Sequence, residues 1–319
     1  MSNIIEIKGL TKRYDELVAL NDLTLNVEEG ALFGFVGPNG AGKTTTMRIL
    51  TTLLQASDGT ASVAGHSVAD EPQAVRRNIG YMPDFFGVYE DMKVWEYLDF
   101  FAACYDIPSE TRLGMIDDLL ALVDLNHKKE AYVESLSRGM KQRLCLARTL
   151  THDPKVLILD EPASGLDPRA RIEMRELLRE LQSMGKTIFF SSHILSEISD
   201  VCTSIAILEA GKLVAHGNIE QIRRQLQVNR AIQVRVLSEP EPLVALLNKT
   251  PTVVKVETAV STTPSPSPTT LSFDFSGNDA DLSDLLAQIV GSGIRIISFS
   301  EEEHNLEDVF MQVTEGVVN

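Results

Sequence analysis

The chain has 319 residues, 44% of them hydrophobic and 23% charged, which excludes wholesale disorder and, at about 150 residues per domain, points to two domains or to one with an appendage. Its 29 basic and 45 acidic side chains leave a formal charge of -16, so phosphodiester backbones repel it and no nucleic acid partner is expected. No apolar run reaches the roughly 18 residues of a spanning helix. Cys104, Cys145 and Cys202 are too far apart to pair as metal ligands and read as buried thiols of a reducing, cytosolic compartment.

Residues 1 to about 219 alternate short apolar runs with longer stretches of helical period, the pattern of an α/β domain. The opening NIIEIKG is strand-like, carries Glu6 and lacks the apolar block of a secretory leader. ALFGFV, ending at Val36, predicts a buried strand that runs straight into Gly37-Pro-Asn39-Gly40-Ala41-Gly42-Lys43-Thr44-Thr45. Two glycines flanking four residues, then Lys and Thr, form a phosphate-binding loop pattern. Its backbone N–H groups point at phosphate oxygens, and a helix starting near Thr44 adds the positive end of its dipole. Lys43 would reach the β and γ phosphates of a nucleotide, and the Thr44 hydroxyl would meet Mg²⁺. Met47, Leu50, Leu53 and Leu54 continue at helical intervals.

Asp84 follows Ile79-Gly-Tyr-Met-Pro, where a turn role after Pro83 fits. Phe85, Phe86, Val88 and Tyr89, then Val94, Trp95, Tyr97 and Leu98, crowd large apolar groups together, most of them expected in the core. In LSRGMKQ, Ser137 and Gly139 are expected to precede a helix with Leu144, Ala147 and Leu150 on its core face, offering a hydroxyl and free N–H groups to an anion. VLIL is an apolar strand ending in Asp160, whose carboxylate would leave the sheet at its ligand edge as a metal partner. Glu161 points the other way and can act as general base or orient a water. The strand TIFFSS runs into His193.

Beyond 219 the composition changes. Ile232, Val234 and Val236, then Val253, Val254 and Val256, then Leu271, Phe273 and Phe275 predict three strands, with IRIISF as a fourth. Residues 282, 285, 286 and 289 recur at helical spacing, as do Leu306, Val309, Phe310 and Val313. Ser261 to Thr270, STTPSPSPTT, reads as an exposed loop interrupting this small α+β domain. Residues 301–310 hold five acidic side chains and no Lys or Arg, read as the solvated face of a helix start.

Taken in order, GPNGAGKTT, LSRGMKQ, ILDEP, Ser164-Gly-Leu-Asp167 and Ser192-His193 resemble the ATPase subunits of ABC transporters over residues 1 to about 219. The resemblance implies a P-loop NTPase fold of ABC ATPase type with a helical subdomain. It also implies a head-to-tail dimer in which Ser137 and Gly139 of one copy hold the γ-phosphate of ATP bound to the other. In that family His193 would contact the γ-phosphate and Glu161, and Asp167 would link the two sites. Tyr14 would stack on adenine, an alternative to a half-buried structural tyrosine. Arg138 stands where many members have Gly, and Asp84 where they usually have Gln and some exporter-type members have Glu, which implies a role of Asp84 toward Mg²⁺ or water as the alternative to the turn role.

The expectation is therefore a nucleotide-binding domain over 1–219 and an accessory domain over 220–319, an ATPase using ATP and Mg²⁺. A separate integral membrane permease, of exporter type from LSRGMKQRL, EPASGLDP and Leu306 to Phe310, would hold the chain on the inner face of the membrane. Two rivals are a soluble mechanical clamp on ribosome or chromosome and a module that binds ATP without turnover. One signature, the absence of sustained heptads and intact Lys43, Asp160 and Glu161 weigh against them.

Overall fold

The computed structural model describes residues 2–85, 87, 89, 91–194, 198, 201–218, 221–222, 230–237, 239–259 and 269–302. The chain divides into a unit up to Ile222 and another from Arg223 to Gln312. In the first, alternating apolar positions form β1 (Asn3–Tyr14), paired antiparallel with β2 (Leu17–Glu28). Strand β3 (Leu32–Val36) and helix α1 (Lys43–Leu50) follow, then β4 (Asp58–Val63) and β5 (His66–Ser67), which complete a sheet of order β2-β1-β4-β5.

Helix α2 (Pro72–Asn78) leads into β6 (Ile79–Met82). That strand joins β3, β7 (Val156–Leu159), β8 (Thr187–Ser192), β9 (Ser204–Glu209) and β10 (Lys212–Gly217) in a sheet of order β10-β9-β3-β8-β7-β6. The ladders from β9 to β6 are parallel, and only the β10 pairing runs antiparallel. Every residue of β3, β7 and β8 is buried, as a parallel sheet covered on both faces requires. Ile5, Ile7, Leu23 and Leu25 share one core with Phe33, Phe35 and Phe189, and the Phe33 and Phe189 rings stack at 5.4 Å.

The parallel register decides what happens at the edge. Val36 lies beside Ser192, Leu159 beside Phe190, and Met82 beside Leu159. The residues that follow, Gly37, His193, Asp160 and Pro83 with Asp84, therefore leave the sheet on one side, at the carboxyl ends of adjacent strands. The helix after the glycine loop starts one residue earlier than its sequence pattern implied and stops at Leu50. The Thr51 hydroxyl bonds back to the Met47 carbonyl at 2.8 Å and Thr52 takes φ 62, so Leu53 lies outside the helix and exposed.

Between the strands, α3 (Val94–Cys104), α4 (Ser109–Leu122) and α5 (Arg138–Leu150) pack together as a helical subdomain. Of the apolar cluster predicted there, Val94, Tyr97 and Leu98 are buried. Phe85, 89% exposed, and Tyr89 are not core, and Phe86 and Val88 lie outside the described residues. Helix α6 (Pro168–Ser183) returns to cover the sheet.

His152, after α5, donates from Nε2 to the Ile79 carbonyl at 2.8 Å, and Tyr105 stacks on its ring at 3.9 Å. Its Nδ1 is buried without a partner among the described residues. Burial lowers the His152 pKa against the opposing pull of the Ile79 carbonyl and Asp153, with Lys186 adding to the lowering. A proton added at Nδ1 would enter a site with no acceptor, whereas the unfolded chain takes it freely. Stability is thus full above the unfolded value of about 6.5 and is lost as pH falls through it toward the lower folded value. Thermal midpoints should drop between about pH 7.5 and about pH 5.5, and His152→Gln, which can still donate to Ile79, should flatten that drop. An identical pH slope in the variant would exclude His152 as its source.

The second unit runs β11 (Arg230–Val236), α7 (Glu241–Leu247), β12 (Val253–Ala259), β13 (Thr269–Phe275), α8 (Asp279–Gly291) and β14 (Ile296–Glu302). This β-α-β-β-α-β order, with an antiparallel sheet of order β12-β13-β11-β14, is the ferredoxin-like arrangement. All four strands expected from alternation are present, and Ile232, Val234, Leu271, Phe273 and Phe275 meet Leu243, Leu247, Leu285 and Ile289 in one core.

Two readings need correction. Thr269 and Thr270 are not loop but the first residues of β13, because β-branched side chains pair readily with Val236 and Arg235 there. Glu301 and Glu302 begin no helix. They end β14, where Glu301 makes a bidentate pair with Arg230 at 2.6 and 3.0 Å, and Asp279 takes the third guanidinium nitrogen at 2.7 Å. The rest of the predicted loop, 261–268, and the helix expected over 306–313 lie outside the described residues.

Candidate functional site

The glycine loop after β3 and the first turn of α1 form one wall of a cleft of about 310 Å³. It is lined by Tyr14, Leu17 to Ala19, Pro38 to Thr45, Asp84 and Glu161. Gly42 has φ 101, and a Cβ there would fall 2.6 Å from Leu20 Cδ2 and 2.7 Å from the Ala19 carbonyl. Only glycine lets the loop turn this close to β2.

Lys43, only 6% exposed, lies along the inside of the loop. Its Nζ donates to the carbonyls of Gly37 at 2.7 Å and Pro38 at 3.2 Å and stands 3.6 Å from Glu161 Oε1. Burial pulls its ammonium below the usual lysine range, and the carboxylates of Glu161, Asp160 and Asp84 oppose that pull. Thr44 is exposed at the cleft wall, Thr45 half-buried.

Asp160 is 1% exposed. Its N–H donates to the Met82 carbonyl at 2.8 Å, and its Oδ1 accepts from the Ser191 hydroxyl at 2.6 Å. Its Oδ2 is buried with no hydrogen-bond partner among the described residues. A buried carboxylate oxygen left open beside a phosphate loop suits a hard divalent cation such as Mg²⁺.

Glu161 takes φ 51, a left-handed conformation unusual for a side-chain-bearing residue. Its N–H donates to Ser191 Oγ at 2.9 Å, and its Oε2 accepts from His193 Nδ1 at 2.6 Å. The strained backbone swings the carboxylate off the line of β7 into the cleft, where it bridges Lys43 and His193. Ser191 escaped the sequence reading. One hydroxyl near the end of β8 holds the Asp160 carboxylate and the Glu161 backbone, and the signal was the register that sets β8 beside β7.

Ser137, Gly139 and Asp167 line a different cleft of about 240 Å³, which shares no lining residue with the first. Ser137 does not merely precede α5. It is the N-cap, accepting from the Met140 N–H at 3.3 Å, which places Gly139 inside the first turn. Asp167 caps α6 by accepting from the Ala170 N–H at 2.9 Å. Tyr14, at the end of β1, is 41% exposed with the Lys12 ammonium 5.1 Å from its ring centre. One copy of the chain thus brings Tyr14, the loop from Asn39 to Thr45, Asp84 and Glu161 to one cleft, sets Asp160 and His193 beside it through Ser191 and Glu161, and places Ser137, Gly139 and Asp167 on another.

A family model described as ABC transporter matches residues 20–164, and one described as ATP-binding protein DrrA1-3-like, C-terminal domain, matches 217–314. An uncharacterized ABC transporter ATP-binding protein of Synechocystis is 36% identical over 230 residues, 69% of this chain and 64% of the relative, so the chain spans just under two thirds of that protein's length. A Nod factor export ATP-binding protein I of Burkholderia orbicola is 38% identical over 213 residues, 67% of this chain and 70% of the relative. A solved structure of an ATP-binding subunit of an ABC transporter superposes with a TM-score of 0.63 at 32% identity, over 70% of this chain and 92% of that one.

Proposed function

Because the chain belongs to the ABC transporter ATP-binding family, we propose that it hydrolyses ATP as the motor subunit of an exporter, closing as a head-to-tail dimer against a separate membrane-spanning partner. The observation that carries this reading is the acid pair at the end of β7. Asp160 offers a buried open oxygen, while Glu161 is held over the phosphate loop by Ser191 and His193. The export direction rests on the name of the Burkholderia relative and on LSRGMKQRL and EPASGLDP. Among the described residues no helix is long and apolar enough to cross a membrane, and the proposed reading assigns the spanning role to a separate permease chain.

Loop N–H groups over Gly37 to Gly42 and the dipole of α1 receive the phosphates. With nucleotide present, Lys43 gives its donors to the β and γ phosphates instead of the Gly37 and Pro38 carbonyls. Asp160 and Thr44 would hold Mg²⁺, with Asp84 at the same cleft, and the ion would supply positive charge to offset the negative charge of the phosphates. Glu161 orients the water that attacks the γ-phosphorus in line and takes its proton, and His193 keeps that carboxylate aimed. Tyr14 offers its exposed ring to the adenine. From the second copy, the α5 N-terminus with Ser137 and Gly139 would complete the γ-phosphate contacts, and Asp167 would join the two sites.

Sedimentation of the full chain tests this reading. With Mg²⁺ and a slowly hydrolysed ATP analogue the apparent mass should double, and with ATP inorganic phosphate should be released as the dimer dissociates. A chain that binds the analogue tightly yet stays monomeric, or that releases no phosphate, would overturn it.

A further inference from the structure

Helix α5 begins with a cation. Arg138 occupies its first position, where the helix dipole presents its own positive end, so the helix gains nothing from this charge. What the side chain does contact is the turn after the acid pair. Its Nη2 donates to the Ser164 carbonyl at 3.1 Å, and one helical turn later Gln142 Nε2 donates to the same oxygen at 3.2 Å.

The guanidinium also lies flat on Gly165. A Cβ at that position would sit 2.3 to 2.6 Å from Cζ and both terminal nitrogens, and Gly165 takes φ 67. The left-handed turn favours glycine there, and the guanidinium fills the space a side chain would take. Gly139 closes the same contact from the helix side, with Leu166 Cδ2 and Ala170 Cβ both 3.5 Å from its Cβ position. The first turns of α5 and α6, one capped by Ser137 and the other by Asp167, border a single cleft, and Arg138 lines it between them.

Resting on the dimer reading above, we propose that Arg138 is a positioning residue that clamps the 164–167 turn to the first turn of α5, so that Ser137 and Asp167 meet the partner copy as one body. A glycine at 138 would supply neither the fork nor the stacked plane, and the two elements would then be ordered separately, each at its own entropic cost, when the dimer closes. The arginine settles that cost in the monomer, before closure.

Arg138→Ala and Arg138→Lys, each combined with Glu161→Gln in the full chain, provide the test. The ATP concentration for half-maximal dimerisation should rise roughly tenfold in Arg138→Ala, about 1.4 kcal/mol, the size of one charge-assisted hydrogen bond. Nucleotide affinity of the monomer and the thermal midpoint should stay unchanged. Lysine keeps the charge but cannot lie flat on Gly165, so Arg138→Lys should recover only a small part of the loss. If the lysine variant matches arginine, or if Arg138→Ala dimerises at the parent concentration, the clamp is wrong. Failure of the Glu161→Gln parent itself to dimerise would instead remove the dimer reading, and the clamp with it.

Discussion

Glu161→Gln should lower steady-state ATP turnover by about 10²- to 10⁴-fold, the range expected when a positioned general base is lost, and should leave ATP affinity almost unchanged. Glutamine has the same length and volume. It can still meet His193 Nδ1, now 2.6 Å from Oε2, and the backbone N–H at 161 still bonds Ser191. What disappears is the negative charge that would take a proton from the attacking water. The γ-phosphate contacts do not pass through this carboxylate, so ATP should still bind, close the dimer and then persist uncleaved. Phosphate release under single-turnover conditions and gel filtration with MgATP measure the two effects separately. Normal turnover in the variant, or loss of turnover with loss of ATP binding, would take Glu161 out of its assigned role.

Most of the nucleotide cleft was legible in the sequence because its chemistry is local. A glycine loop between an apolar strand and a helix has few other solutions, and VLIL followed by Asp160 fixes both the strand and the edge where the acid emerges. The ferredoxin-like strands were legible too, since Ile232, Val234 and Val236 or Leu271, Phe273 and Phe275 alternate without interruption. What stayed hidden depends on pairing between distant segments. The role of Ser191 follows from the register of β8 on β7, 31 positions away from Asp160 in sequence. The contact of Arg138 with Gly165 likewise spans two helix starts. Phe85 looked like core by composition, yet its exposure is decided by what packs around the segment after β6, which hydrophobicity alone does not encode.

Lys43→Met should produce two effects of different kind. ATP affinity should fall at least about 100-fold, because the donors to the β and γ phosphates each contribute about 1.5–3 kcal/mol as charge-assisted hydrogen bonds. The nucleotide-free chain, by contrast, should be no less stable. Folding buries this ammonium to 6% exposure, and desolvation is the largest influence on its pKa, stronger than the pull of Glu161, Asp160 and Asp84. Methionine fills a similar volume without that cost. The Gly37 and Pro38 carbonyls that lose Nζ border an open cleft where water can replace it, and Glu161 keeps His193. Thermal melts separate the two effects. The parent chain should gain about 5–10 °C at a nucleotide concentration near 100 Kd, the shift that about 2.7 kcal/mol of linkage produces in a domain of this size, and at that concentration the variant should gain no more than about 1–2 °C. A nucleotide-free midpoint falling in the variant by the equivalent of more than about 1 kcal/mol would show that Lys43 supports the loop itself, and its interactions with the two carbonyls and Glu161 would then be structural rather than a resting position for a phosphate ligand.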